Sequence, residues 1–324
     1  MRALLILLSA GALAGCETLA YYGQAAAGQL AISAAARPVA KLLADPDVPP
    51  ALKERLRTAR ELRDYATREL GLPDGGAYRS YAELDRPYAV WNVVAAPEFA
   101  LEPVQSCFPI AGCVAYRGYF DRQNAARYAA TQRAAGYDVV VYGVPAYSTL
   151  GWFDDPLLSS FLDYPDAELA RLVFHELAHQ VVYVKDDSAF NESFAAVVER
   201  EGLRRWLRDA GRAAPDARRR EFEQLIAELR AQLQALYAMP LAPAEMRRRK
   251  REALEALRPW LARLRGFESA EPSNAVLASF ATYTQKVPAF ERLLAAAGGD
   301  LERFYARVRE LARLPRAERD AQLR

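Results

Sequence analysis

The chain has 324 residues, of which 52% are hydrophobic and 26% are charged, and its formal net charge at pH 7 is +2. This composition is typical of a folded protein and excludes a largely disordered chain. A net charge so close to zero gives no reason to expect nucleic acid as a partner, and the length allows one large core or two modest ones.

The N-terminus has the pattern of a signal for export. Arg2 is followed by an apolar run over residues 3–13. This run is shorter than the roughly 20 residues that a membrane-spanning helix needs, and it has the length of a signal-peptide core. It ends in Leu13-Ala-Gly-Cys16, which resembles the lipobox of bacterial lipoproteins.

This resemblance implies that residues 1–15 are a signal peptide and that Cys16 becomes lipidated, leaving the chain 16–324 anchored to a membrane. Glu17 is not the aspartate associated with retention in the inner membrane. The expected location is therefore the periplasmic face of the outer membrane. The alternative is an ordinary signal peptide in which Cys16 is incidental.

Apart from Cys16, the chain contains only Cys107 and Cys113. In an oxidising compartment, a lone and closely spaced pair predicts a disulfide. The alternative, two thiolate ligands of a metal, lacks a second Cys or His pair nearby.

Helical and extended patterns follow one another along the first half of the chain. Helices are predicted at 17–43, at 51–70 and, after the capping residue Asp121, up to about residue 135. Aromatic and branched residues predict strands at 88–94, 114–120 and 138–144. A loop rich in Pro, Gly and Asp is predicted for 145–156.

The second half is predicted to be helical. One helix opens at Pro165 and Asp166 and runs to about residue 184, and a polar turn at 185–188 supplies Asp187 or Ser188 as the cap of the next. That helix runs from about residue 191 past 206. Further predictions are a helical hairpin at about 217–265 and C-terminal helices near 275–297 and 300–311.

The helix that opens at Pro165 carries the sequence His175-Glu176-Leu-Ala-His179, an HExxH motif that contains the only two histidines of the chain. Histidines four residues apart lie on one helical face, so both imidazoles can reach one zinc ion. Glu176 is rotated by about 100° from His175 and is predicted to act as a general base on a water molecule instead. The alternative is a pair of ordinary histidines on a helix.

A catalytic zinc has three protein ligands, and no further histidine or free cysteine is available, so a carboxylate is expected. Glu192 at the start of the next helix is the first candidate, with Asp186 and Asp187 in the turn as rivals. Its alternative role is a glutamate favoured by the helix dipole.

The element Asn191-Glu192-Ser-Phe-Ala195 resembles the Asn-Glu-x-x-Ala of gluzincin metallopeptidases. Those enzymes place an acidic residue four positions after the glutamate, where this chain has Ala196. A carboxylate that orients a histidine must then come from elsewhere, and Glu199 is a candidate.

Longer stretches, among them CFPIAGCVAYRGYF, YGVPAYSTLGWFDDPLLSS and NAVLASFATYTQKVPAF, resemble the predicted zinc aminopeptidases found as lipoproteins in Gram-negative bacteria. The resemblance implies a peptidase with a Zn²⁺ cofactor and a peptide substrate. It also implies a zincin-like fold of the α+β class, mostly helical, with a small β-sheet packed on the HExxH helix and a C-terminal helical region.

Three further residues are candidates for substrate contacts. Tyr283, in the last of these stretches, is the predicted oxyanion donor, although a packing role is the alternative. Asp154 or Asp155 is predicted to bind the free amine of a substrate, and the alternative is that they are turn residues that cap the helix that follows. A different class of function also stays open: the protein would be a non-catalytic envelope lipoprotein that uses the fold as a binding scaffold. The presence of Glu176 argues against this class, because metal binding alone does not need it.

Overall fold

A computed structural model describes residues 2–108, 112–149, 153–212 and 217–323. The α-helices run over α1 Arg2–Ala35, α2 Val39–Ala44, α3 Pro50–Leu70, α4 Arg122–Ala134, α5 Ser159–Leu162, α6 Asp166–Ala178, α7 Ser188–Asp209, α8 Ala217–Tyr237, α9 Pro243–Leu254, α10 Arg258–Leu261, α11 Asn274–Thr284, α12 Val287–Ala296, α13 Leu301–Ala312 and α14 Arg316–Gln322. A 3₁₀ turn, Glu255–Leu257, joins α9 to α10.

The strands are β1 Arg37–Pro38, β2 Ser80–Ala82, β3 Val90–Ala96, β4 Ser106–Phe108, β5 Gly112–Val114, β6 Arg117–Tyr119, β7 Asp138–Val144 and β8 Leu157–Leu158. They form the sheets β1-β2-β8, β6-β3-β7 and β4-β5. All pairs are antiparallel except β2 with β8. The prediction of a mostly helical α+β protein is therefore confirmed.

The sheet β6-β3-β7 is covered by helices on both faces. Alternate residues of a strand point to opposite faces, and accordingly Trp91 and Val93 pack with α4 in one apolar cluster, whereas Val94 joins a second cluster with α8, α9 and α11. The largest cluster is formed by α3, α6, α7, α12 and α13.

The small sheet β1-β2-β8 shares the largest apolar cluster with the HExxH helix, but the sheet β6-β3-β7, which contains the predicted strands, is not the main contact of that helix. That helix, α6, packs chiefly on α7 and α3, while α11 packs on α7 and also on β3 and β7. The apolar residues of α11 fill the space that the prediction gave to the motif helix, because α11 is apolar on two sides and can be buried against both layers.

Three other predictions differ from the structure. The first helix ends at Ala35 because Pro38 lacks a backbone N–H, and the motif helix ends at Ala178, before a run of β-branched residues. The single strand at 114–120 is two short strands, since β5 pairs with β4 while β6 pairs with β3. Strands β1, β2, β4 and β8 and helices α5 and α14 were not predicted.

The structure joins Cys107 and Cys113 by a disulfide across the β4-β5 hairpin. Among the described residues, no helix has the length and apolar character to cross a membrane. The side chain of Cys16 lies outside the described part of the structure.

Candidate metal centre

Helix α6 presents both histidines on one side. Its buried face, which includes Leu169, Val173 and Leu177, packs on α7 and α3. His179 follows the last helical residue but keeps helical dihedral angles, with φ −60° and ψ −21°. The two imidazoles therefore stay one turn apart, with ring centroids separated by 4.9 Å.

A short turn brings α7 back along α6. The Asp187 carboxylate, one of the two caps that the sequence predicts, caps α7 by accepting a hydrogen bond from the Phe190 N–H. Asn191 closes the turn, because its Oδ1 accepts from the Val184 N–H and its Nδ2 donates to the Val184 carbonyl, both at 2.8 Å. These bonds fix the first turn of α7, which carries Glu192.

Glu192 meets both histidines. Its Oε2 lies 3.1 Å from His175 Nε2 and 3.6 Å from His179 Nε2. One ligand atom from each of the three residues lies within 4.8 Å of the other two. Two imidazole nitrogens and one carboxylate oxygen are one of the donor sets found in catalytic zinc sites, so these residues fit that ion chemically.

The electrostatics of this group also suit a cation. Burial lowers the pKa of His175, but hydrogen bonds to Glu192 and Glu199 outweigh it and raise the pKa to about 10. Burial likewise raises the pKa of Glu192, yet His179 and His175 hold it well below its usual range. The carboxylates therefore stabilise positive charge here, and a metal ion competes with protons for the same atoms.

Glu199 lies on the other side of His175. Its Oε2 is 3.1 Å from His175 Nδ1, so this carboxylate can fix the orientation of the ring. Arg171 Nη1 lies 3.2 Å and Arg219 Nη1 2.8 Å from Glu199 Oε1. Burial raises the pKa of Glu199, but Arg219, His175 and Arg171 lower it to about 2. Sequence reasoning named Glu199 and missed both arginines, since neither belongs to a motif.

Glu176 lies next to the group without belonging to it. Burial raises the pKa of its carboxyl, and the neighbouring His175 and His179 partly offset this. A raised pKa brings a carboxylate closer to the range in which it can take up and return a proton at neutral pH.

Tyrosines surround the three residues. The Tyr283 ring centroid is 6.0 Å from that of His175. Helix α11 holds it there, since the Ser273 side chain caps its start and the Asn274 amide donates to three carbonyls of the chain after β3. Burial and then the Glu192 charge raise the pKa of Tyr283 well above its usual value.

Tyr116 and Tyr183 belong to the same surroundings, since burial and the Glu192 charge also raise the pKa of each phenol. Sequence reasoning did not find them. Tyr183 lies four residues after His179 and carries only that positional signal, whereas Tyr116 lies between two short strands and carries none.

The two predicted amine-binding aspartates have different surroundings. Asp155 is buried, with its Oδ2 accepting from the Thr149 N–H at 2.8 Å and its Oδ1 left without a hydrogen-bond partner among the described residues. Burial, with a contribution from Glu176, raises the pKa of Asp155 to about 6. Asp154 is exposed and fills the place that a side chain at Gly76 would take.

The rival third ligands have other partners. Asp187 caps α7 and accepts hydrogen bonds from buried Arg319 at 2.8 and 3.1 Å. Asp186 Oδ1 accepts from the Cys113 N–H. Neither belongs to the group of close ligand atoms, which consists of His175, His179 and Glu192 in the part of the chain that the structure describes.

The fold and the site define a mostly helical α+β protein with an HExxH helix whose histidines meet a glutamate from the following helix. The model of the Aminopep family, described as "Putative aminopeptidase", matches residues 20–323. The chain belongs to this family, whose description indicates peptidase activity. No curated protein and no solved structure matches the chain.

Proposed function

We propose that this protein is a zinc-dependent peptidase with a zincin-like fold, acting as an aminopeptidase in the bacterial cell envelope. The observation that carries the proposal is the convergence of His175, His179 and Glu192 beside Glu176. Membership in a family described as aminopeptidases supports the choice of peptides as substrates.

In this proposal His175, His179 and Glu192 hold the zinc, which supplies a Lewis acid for the substrate carbonyl and lowers the pKa of water. Glu176 accepts a proton from the attacking water and then delivers it to the leaving amine. Glu199 keeps His175 Nδ1 engaged, so that the other ring nitrogen stays available to the ion.

Tyr283 is the first candidate for donating a hydrogen bond to the developing oxyanion, because its ring is adjacent to that of His175. Its raised pKa keeps the phenol protonated and able to donate. Tyr116 and Tyr183 are candidates for the same role, supported by the effect of Glu192 on the pKa of both.

Recognition of a free amine is assigned to Asp155 rather than Asp154. The Asp155 Oδ1 is buried and lacks a hydrogen-bond partner among the described residues, and Glu176 contributes to its raised pKa. An ammonium group would supply both the missing hydrogen bond and a compensating charge. This assignment favours cleavage from the amino end of the substrate.

The proposal is tested by metal content and peptide turnover measured together. We expect purified protein, folded with zinc present, to hold about one zinc per chain. A chelator should abolish hydrolysis of peptides with free amino ends, and added zinc should restore it.

A chain that binds no stoichiometric zinc would contradict the metal centre. Stoichiometric zinc without hydrolysis of either free or amino-blocked peptides would instead favour the non-catalytic envelope lipoprotein.

The envelope location rests on the N-terminal sequence. We propose that Cys16 is lipidated and holds the protein at the periplasmic face of the outer membrane. Replacing Cys16 with Ser should move the protein from the membrane to the soluble fraction, since the apolar run at 3–13 is too short to anchor it. Fractionation after a carbonate wash measures this, and a variant that stays with the membranes would contradict the lipid anchor.

A further inference from the structure

A cavity of about 730 Å³ is lined by residues that neighbour the candidate metal centre in the chain. Its walls come from the chain after β3, the turn before α7, one side of α11 and the C-terminal helix α14. Two of its lining residues adjoin site residues: Thr282 precedes Tyr283, and Ala189 lies one helical turn before Glu192. Its volume is in the range of about 300–1,000 Å³ that ligand pockets occupy.

Several charged side chains that line the cavity have partners of opposite charge or backbone partners. Lys286 forms ion pairs with Asp187 and Asp320, and Asp187 is also bound by Arg319. Asp186 accepts a backbone N–H. The charges of Lys286, Asp187 and Asp320 are therefore compensated within the protein, and Asp186 has a hydrogen-bond partner.

Arg230, on α8, is different. Only 20% of its side chain is exposed, and its Nη1 is buried with no hydrogen-bond partner among the described residues. Its Nη2 lies 3.6 Å from Glu102 Oε1, which is longer than a hydrogen bond, and the Glu102 side chain is 81% exposed. Burial lowers the pKa of this guanidinium, and the charge of Glu102 only partly offsets it.

A largely buried guanidinium without a full set of partners is unfavourable, and a planar carboxylate is the ligand that matches its fork of N–H groups. An exposed glutamate such as Glu102 contributes little, since it must be held in place against its own conformational freedom. A carboxylate that enters the cavity can therefore replace Glu102 as the partner of Arg230.

We propose that Arg230 binds a carboxylate of the peptide substrate in this cavity, an inference that rests on the proposed peptidase function. The substrate class is then a peptide that spans the space between the metal centre and Arg230 and carries its negative charge at the far end. The carboxylate is either the C-terminal group of a short peptide or the side chain of an Asp or Glu residue.

Calorimetric titration of the intact protein tests this, in a chain with Glu176→Gln so that peptides are not consumed. The probes are alanine peptides of three to five residues with a free C-terminal carboxylate, the same peptides as C-terminal amides, and amides that contain one glutamate. We expect the best charged peptide to bind roughly 10-fold or more tightly than its neutral amide. Tighter binding of the peptides with a free C-terminus would identify the C-terminal carboxylate as the ligand. Tighter binding of the amides that contain glutamate would identify a side-chain carboxylate.

The variants test the partner. Adding Arg230→Gln should abolish the preference for the carboxylate, and Arg230→Lys should keep part of it because the charge remains without the fork. Adding Glu102→Gln should strengthen binding of the charged peptides several-fold, since it removes the competing carboxylate. Loss of fold cannot produce such a gain. Arg316→Gln, which removes a charge from the same cavity at a position with 66% side-chain exposure, is the matched control.

Equal binding of charged and neutral peptides, or loss of the preference with Arg316→Gln and not with Arg230→Gln, would overturn the assignment. Peptide turnover by the unaltered chain, measured in parallel, separates this inference from the proposed function. Charge-dependent binding without turnover would reject the peptidase function and keep the carboxylate site. Turnover without any charge preference in binding would reject the carboxylate site and keep the peptidase function.

Discussion

Replacing Glu176 with Gln should lower peptide turnover by roughly 10²-fold or more and leave zinc binding close to that of the unaltered protein. The reason is positional. Glu176 shares the helix with the two histidines, yet its carboxylate is outside the group formed by His175, His179 and Glu192. The amide of Gln has nearly the same shape but cannot accept the proton.

Turnover and zinc titration of the same preparation measure the two effects. Retained turnover would reject Glu176 as the base. Loss of zinc together with turnover would mean that Glu176 belongs to the ligand set, which would invert the roles assigned on the helix.

Among the glutamates of α7 compared below, replacing Glu192 with Gln should have the largest effect on zinc affinity. A direct ligand should matter more than a residue that orients one, so we expect a loss above the roughly 10- to 100-fold range predicted for Glu199→Gln. Glu192 Oε2 faces both histidines, whereas Glu199 contacts one of them, at the Nδ1 of His175.

Glu201→Gln is the matched control. Glu201 lies on the same helix, and its side chain is 12% exposed compared with 13% for Glu192, but its partners are Arg204 and Arg205. This variant tests whether the loss of a partly buried carboxylate from α7 is enough to affect the metal. Zinc titration of the three variants should rank them Glu192, Glu199 and Glu201, and an unchanged affinity for Glu192→Gln would place the third ligand elsewhere.

Local sequence patterns predicted correctly those elements in which one run of side chains belongs to a single strand or a single cap. Strand β7 has the predicted bounds, and the Asp187 cap is confirmed, because both depend on residues that are close in sequence. The strand predicted at 114–120 failed for the opposite reason. Its two halves pair with different strands, and one of those pairs is the disulfide-linked hairpin, so no local pattern describes the whole segment.

In the candidate site, too, some features follow from the local sequence and others depend on residues far away in the chain. The spacing of His175 and His179 alone implies that the rings share one face, since the helical repeat is fixed. The choice among Glu192, Asp186 and Asp187 depends on the turn closed by Asn191 and on Arg319, which lies 132 residues after Asp187 and occupies its carboxylate.

The sequence by itself determined the helical class, the HExxH face and Glu192 as the first candidate for a third ligand, because helix periodicity and short turns relate residues that are near one another in the chain. Only the tertiary structure decided that α11 covers the sheet, that Arg171 and Arg219 bind Glu199, and that Tyr116 joins Tyr283 around the site. It also decided that Arg230 borders a cavity without a full partner. These relations join segments that lie far apart in the chain, and they arise from the packing of whole helices, which no local spacing encodes.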